Sequence, residues 1–299
     1  MTGVQTCALP ICEILDHPYL DIAGQSAFYW KNNVNTIKLP EGSQLFTLPG
    51  KYPVGFDTSS GKFRTMRNMK KKDNVLAVAA FLPPGYARTL LPAYKKYNNS
   101  QNETLPLWAY TCVGWDEEKG MVVAAVKVDE VYYWEEKSFD EKTLNKCIKE
   151  TMPKYKDNRL YQHLSYCAKV YNCCNAKNLF YGRGEAPLPV SASCNSRCVG
   201  CISFQEENGC KSSHDRIKFL PTVKEIVEVA VPHLKKDGKF IASFGQGCEG
   251  EPLLYSDRIV ESIEAIRKET KQGTIHINSN GSRPDVLPAL AKAGLNSIR

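Results

Sequence analysis

The sequence predicts an α/β fold for residues 188–299, preceded by a smaller, mostly β (α+β) domain. Three observations carry this reading. From Leu188 onward, short apolar runs alternate with amphipathic stretches. Their order is strand, helix, strand, helix, strand, helix, with short connections, which implies a parallel sheet and right-handed crossovers. Each stretch rich in Cys, Gly or Asn falls directly after one of these strands, where barrels of alternating strands and helices place their chemistry.

Taken in chain order, residues 1–12 read as a non-native leader. Met1–Ile11 resembles translated sequencing-adapter sequence and lacks the basic region and apolar core of a signal peptide. Residues 13–181 read as the N-terminal β-rich domain with helical appendages. Gly50, Gly55 and Gly61 punctuate a strand-and-turn stretch. Val75–Phe81, Leu105–Val113 and Met121–Val128 read as strands, the last two joined by a hairpin loop at Asp116–Gly120. Pro83-Pro84-Gly85 precedes a predicted helix, and helical patterns cover Glu141–Glu150 and Asn158–Leu179. Gly182–Pro187 reads as a linker (182–187).

The core from 188 to 299 then opens with a strand at Leu188–Ser191. Val223, Ile226, Val227 and Ala230 form the apolar stripe of a helix, with Thr222 as N-cap and Glu225 as its capping-box partner. Lys239–Phe244 is a short apolar run of the kind a buried parallel strand shows. A helix follows over Asp257–Arg267, and Thr274–Ile277 is the third strand. Pro284 opens a last helix that Gly294 ends. Ala293–Arg299 reads as this cap followed by a further strand cut off at its start, so the core is expected to be incomplete at its C-terminus.

Composition narrows the class. Hydrophobic content of 42% with 10% aromatic residues supports packed cores rather than disorder. No apolar run approaches the roughly 20 residues that span a bilayer, so no membrane partner is expected. The 12 cysteines are irregularly spaced in a chain far larger than a disulfide-stapled secreted domain. Reduced, metal-binding thiols in a cytoplasmic protein are the expectation. The net charge of +7 includes the basic run Arg64–Lys72; such a run is ordinarily a solvated loop, and no nucleic-acid partner is expected. Gly50-Lys51 lacks the flanking residues of a phosphate loop.

The run Cys194-x₃-Cys198-x₂-Cys201 carries the chemistry. Three soft thiolates on one loop can converge on one iron–sulfur cluster and leave one iron without a protein ligand, which implies chemistry at that position. Downstream, Gly245-Gln-Gly247-Cys-Glu-Gly250-Glu251-Pro252 follows the second strand, and Asn278-Ser-Asn280-Gly281 follows the third. With these motifs on successive loops, residues 188–299 resemble the radical S-adenosylmethionine (radical SAM) enzyme superfamily. The resemblance implies a partial parallel (β/α) barrel of that type, C-terminally truncated.

It also implies cofactors and roles. Cys194, Cys198 and Cys201 would hold a [4Fe–4S] cluster whose free iron chelates S-adenosylmethionine. Gly245, Gly247, Gly250, Glu251 and Pro252 would hold the methionine ammonium, with Asn280 nearby; Glu249 stands where the family often has glycine. Reductive cleavage would give a 5′-deoxyadenosyl radical that abstracts hydrogen from an unknown substrate, with a reductant such as flavodoxin or ferredoxin. No catalytic side chain is assigned, and a truncated barrel is expected to turn over poorly or not at all. From the residues, Gly200 is expected to let the loop bend and Arg197 to lower the thiol pKa values.

The other thiols divide. Cys112 and Cys147 read as buried small hydrophobes, and Cys167 as a core residue on the face shared by Leu160, Leu164 and Tyr171. An auxiliary iron–sulfur cluster could draw on Cys173 or Cys174 with Cys210 or Cys248. A competing reading uses Cys198, Cys201, Cys210 and His214 as a closed zinc centre. That would make the chain a zinc-stabilised interaction module binding RNA through the basic loop.

Overall fold

The computed structural model describes residues 36–57, 59–67, 75–97, 109–116, 118–130, 138–198, 200–204 and 212–299, together with the backbone of short strands between Cys7 and Lys31. The chain divides into two compact units, Met1–Ser138 and Phe139–Arg299. Among the described residues no helix is long and apolar enough to cross a membrane.

The described strands of the first unit pair antiparallel. Ala77–Phe81 bonds to Gln44–Leu48 on one side and Thr111–Asp116 on the other. Thr111–Asp116 pairs in turn with Gly120–Val123, closing the expected hairpin with Asp116 opposite Gly120. Because side chains alternate along a strand, Val78 and Ala80 pack with Val113 and Val123 on one face. Ala77 and Ala79 pack with Leu48 on the other, so both faces are covered. Lys51–Asp57 pairs with Lys62–Thr65, and Gly50 and Gly61 take positive φ at the turns that flank it.

Two expectations here are corrected. After Pro83-Pro84-Gly85 the chain forms a strand, Tyr86–Arg88, paired with Ala125–Lys127. The pairing overrides the local helical pattern. The strand expected over Met121–Val128 is interrupted at Ala124, whose N–H bonds to the Cys112 carbonyl at 3.0 Å. Residues 105 to 108 of the stretch Leu105–Val113, Cys12, and the side chain of Cys7 lie outside the described residues.

The second unit begins with helix α1 (Glu141–Thr151), whose N-cap Asp140 accepts from the Thr143 N–H at 2.7 Å. The helix expected over Asn158–Leu179 is two helices, α2 (Arg159–Lys169) and α3 (Cys174–Tyr181). Asn172 breaks it by adopting φ 52°, a conformation asparagine tolerates better than most residues. The chain then turns back so that the Cys173 N–H meets the Cys167 carbonyl at 3.1 Å. Gly182 ends α3 with φ 65°.

Residues 182–187 are not a linker. Glu185–Pro187 is β1 of a parallel sheet, and the Leu188 N–H still bonds to Ser243 O at 2.7 Å. The first strand therefore starts earlier than its apolar run suggests. α1–α3 accordingly belong with the parallel sheet rather than with the β-rich unit. Their reason for doing so is burial: Leu144, Leu160, Leu164, Cys167 and Phe180 join one core with the sheet residues.

That sheet runs β1, β2 (Ile241–Phe244), β3 (Thr274–Ile277) and β4 (Ser297–Ile298), each parallel to the next. Helices α4 (Val223–Leu234), α5 (Ser256–Glu269) and α6 (Leu287–Ala293) connect them. Thr222 and Glu225 form the expected capping box on α4. Ala242, Phe244, Ile275 and Ile277 are fully buried with Ile226, Ile259, Ile263 and Ile266. Each of the isoleucines and Phe244 contributes about 1.5–3 kcal/mol on burial. A strand-by-strand order without reversal puts the three post-strand loops side by side at one end of the sheet.

Candidate metal and cofactor site

The loop after β1 carries Cys194, Cys198 and Cys201. The loop after β2 is Gly245–Pro252, and the loop after β3 is Asn278–Ser282. The three are tied into one joint. The Gly250 N–H donates to Ser191 O at 2.7 Å and the Glu251 N–H to Ser193 O at 2.9 Å. A Cβ on Gly250 would overlap the Ser193 carbonyl and come to 3.0 Å from the Cys194 nitrogen. Only glycine permits that approach. Gly245 has φ 75°, and a Cβ there would overlap the Asn278 backbone. Gly247 faces only the Ile202 side chain, which can give way.

Two carboxylates complete the joint. Glu249 is buried, and its carboxylate accepts from the N–H groups of Val190 (2.8 Å), Ser191 (2.9 Å) and Gln246 (2.7 Å). Burial pushes this carboxyl up to about 7 against the pull of those donors. Glu249 is therefore a clamp between the first and second loops. Glu251 is also buried; it accepts from Leu253 N–H (3.0 Å), Ser279 Oγ (2.7 Å) and Asn280 N–H (2.8 Å). Its observed work is to brace the second loop against the third. Pro252, buried, opens the short helical turn that follows. Asn280 reaches back to the cysteine loop, donating through Nδ2 to Asn195 Oδ1 and Ser196 Oγ, both at 2.8 Å.

The thiols themselves are graded in exposure: Cys194 and Cys201 are half-buried and Cys198 is exposed. Burial alone would raise the Cys201 thiol. Donation from the Ser203 N–H and hydroxyl, the Phe204 N–H and Arg216 outweighs it and holds the thiol below its ordinary value. The guanidinium at this sulfur is therefore that of Arg216, at 3.6 Å, rather than of its sequence neighbour Arg197. Gly200, too, does other than expected. Its φ is not left-handed and a Cβ would meet nothing within 4 Å, so the bend in this loop does not require glycine.

Among the described residues the only three His, Cys, Asp or Glu donors within 4.8 Å of one another are His163, Cys167 and Cys248. Cys194, Cys198 and Cys201 are therefore spread more widely than ligands of one ion. Three soft thiol donors on one loop are nevertheless the donor type that iron–sulfur clusters take. The zinc reading loses its support on the same ground: Cys198, Cys201 and His214 are not gathered, and Cys210 lies outside the described residues. Most of the basic loop, from 68 to 74, lies outside them as well.

His163 was not singled out from sequence, and Cys167 is both a core residue and a member of this group. Its sulfur is 3.5 Å from His163 Nε2. Hydrogen bonding from the Cys248 thiol, and then from His163, lowers Cys167, while the same contact and burial raise Cys248. Cys173 is pushed up by burial to about 11, and Cys174 is raised for the same reason. Cys112 is buried as expected.

Residues 188–299 match the family model of the Radical SAM superfamily. No curated protein matches the chain.

Proposed function

We propose, from the radical SAM domain that residues 188–299 form, that this chain holds a [4Fe–4S] cluster on Cys194, Cys198 and Cys201. S-adenosylmethionine would lie against the loop Gly245–Pro252. The observation that supports this best is the three-loop joint, in which Gly250, Glu251 and Asn280 each bond to the cysteine loop or to its neighbour. When bound, the cluster supplies reductive cleavage of the sulfonium to methionine and a 5′-deoxyadenosyl radical that takes hydrogen from a substrate.

The rest falls to the chain's own residues. Donors from Ser203 and Arg216 hold Cys201 toward the thiolate that iron requires. Gly245 and Gly250 keep the second loop's backbone bare, so its carbonyls can accept from the methionine ammonium. Glu251 positions that loop, and its Oε2, engaged among the described residues by Asn280 alone, retains room for one more donor. Asn280 fixes the third loop across the cysteine loop. The parallel strands would form part of a barrel, in a cytoplasmic enzyme served by a reductant such as flavodoxin or ferredoxin. The β-rich unit would act as a platform for substrate or partner.

Anaerobic reconstitution tests the reading. The expected product carries about four irons on these cysteines, and its reduced spectrum changes on adding S-adenosylmethionine. A spectrum indifferent to that addition, or full iron retention in a Cys194→Ala/Cys198→Ala/Cys201→Ala variant, would refute it.

A further inference from the structure

We infer that His163, Cys167 and Cys248 form a second metal site, separate from the cysteine loop and suited to a single tetrahedral zinc ion. The three donor atoms lie within 4.8 Å of one another. His163 and Cys167 stand four residues apart on α2, and so share one face of the helix. Cys248 arrives from the Gly245–Pro252 loop, and its backbone is held there by the Ile217 N–H on its carbonyl at 2.8 Å.

The spacing suits zinc. With Zn–S near 2.3 Å and Zn–N near 2.0–2.1 Å, a tetrahedral centre puts sulfur and nitrogen about 3.5–3.6 Å apart; His163 Nε2 and Cys167 Sγ are 3.5 Å apart. Cys167 and Cys248 are buried, in a closed setting of the kind structural zinc prefers. Two thiols and an imidazole are a zinc donor set, and too few thiols to hold an iron–sulfur cluster by cysteine alone. Binding displaces both thiol protons, so the neutralised ion carries two thiolates.

His214 lies outside that 4.8 Å group and is the candidate to close onto the fourth position when the ion binds. Its Nδ1 is engaged by Ser213 Oγ at 3.0 Å, which leaves Nε2 for a ligand. Its backbone N–H bonds to Ile202 O at 2.9 Å, just beyond Cys201. His163 meets the Phe219 ring edge to face at 6.2 Å. A zinc ion here would therefore join α2, the segment around His214 and the loop that carries Gly250 and Glu251.

The test uses the 299-residue protein purified without chelator, with metal content by mass spectrometry and zinc-edge X-ray absorption. About one zinc per chain is expected, with two sulfurs and the remaining ligands nitrogen in its first shell. The Cys194→Ala/Cys198→Ala/Cys201→Ala variant should keep that zinc, which separates this site from the proposed cluster. Cys112→Ser should keep it too, and Cys167→Ser/Cys248→Ser should lose it. A wild-type chain without zinc, a first shell all of sulfur or devoid of it, zinc retained in the double variant, or iron in its place would each overturn the inference. Should the double variant fail to fold, the wild-type first shell decides.

Discussion

Gly250→Ala is the sharpest perturbation of the joint between the first two loops. The new methyl group would overlap the Ser193 carbonyl, and the obstacle is backbone, which cannot rotate aside. Relief requires the loops to part by on the order of 1 Å. Two bonds cross the gap, Gly250 N–H to Ser191 O at 2.7 Å and Glu251 N–H to Ser193 O at 2.9 Å, and such a shift takes both beyond hydrogen-bonding range. Each is worth about 0.5–1.5 kcal/mol net, and buried groups left unpaired cost more, so the joint weakens by about 2–4 kcal/mol. That is less than the 5–15 kcal/mol stability typical of a folded protein, and the chain should still fold. The assay is S-adenosylmethionine affinity after anaerobic reconstitution, with circular dichroism to confirm folding. Affinity should fall at least tenfold, since about 1.4 kcal/mol suffices for that. Gly200→Ala is the control: open space and an ordinary φ leave it within about 0.5 kcal/mol of the parent. Equal affinities in the two variants would refute the argument.

Three further outcomes follow from the same geometry. The Glu249 carboxyl titrates near 7 in the folded chain against an ordinary 4.5, so the native state binds the extra proton between those values. Stability should therefore fall as pH rises through that window, by on the order of 3 kcal/mol; Glu249→Gln should flatten this slope in urea titrations followed by circular dichroism. Glu225 behaves oppositely: the Arg159 guanidinium holds it down to about 2, so its contribution is present above 4.5 and lost as pH falls toward 2. Arg159→Ala should move acid unfolding to higher pH. Asn280→Ala removes two bonds to the cysteine loop; S-adenosylmethionine affinity should drop about tenfold while iron content, measured colorimetrically, stays that of the parent.

What could be read from the sequence was what is local. The capping box at Thr222 and Glu225 needs only residues three apart, and the loop motifs announce themselves because unusual residue types gather at strand ends. Arg197 and Arg216 show the limit: the first adjoins the cysteines in sequence, yet the second reaches Cys201, because the chain doubles back through His214 and Ile202. His163, Cys167 and Cys248 were invisible as a group for the same reason. A pair on α2 meets a loop far along the chain only after α2 packs beside α4, where Asn158 Nδ2 donates to Glu225 O at 3.0 Å. The strand at Glu185–Pro187 was hidden by composition, since a glycine-flanked Glu-Ala-Pro looks like a connector until Ala186 is seen fully buried beside Ala242.

The two glutamates of the middle loop gain their meaning from the order of the sheet. β2 lies between β1 and β3, so the loop after β2 sits between the other two, which also meet directly where Asn280 reaches Asn195 and Ser196. Glu249 turns back to the N–H groups of Val190 and Ser191, after β1. Glu251, two residues on, turns forward to Ser279 and Asn280, after β3. Gly250 between them has no side chain, and that absence lets the backbone sit against Ser193 while its neighbours pull in opposite directions. A glycine at 249 would lose the carboxylate's bonds to Val190 and Ser191. The carboxyl group there adds bonds from the Val190, Ser191 and Gln246 N–H groups, which offset only part of the burial that raises its pKa. Glu249 thus adds a side-chain tie from the loop after β2 to Val190 and Ser191, just before Cys194.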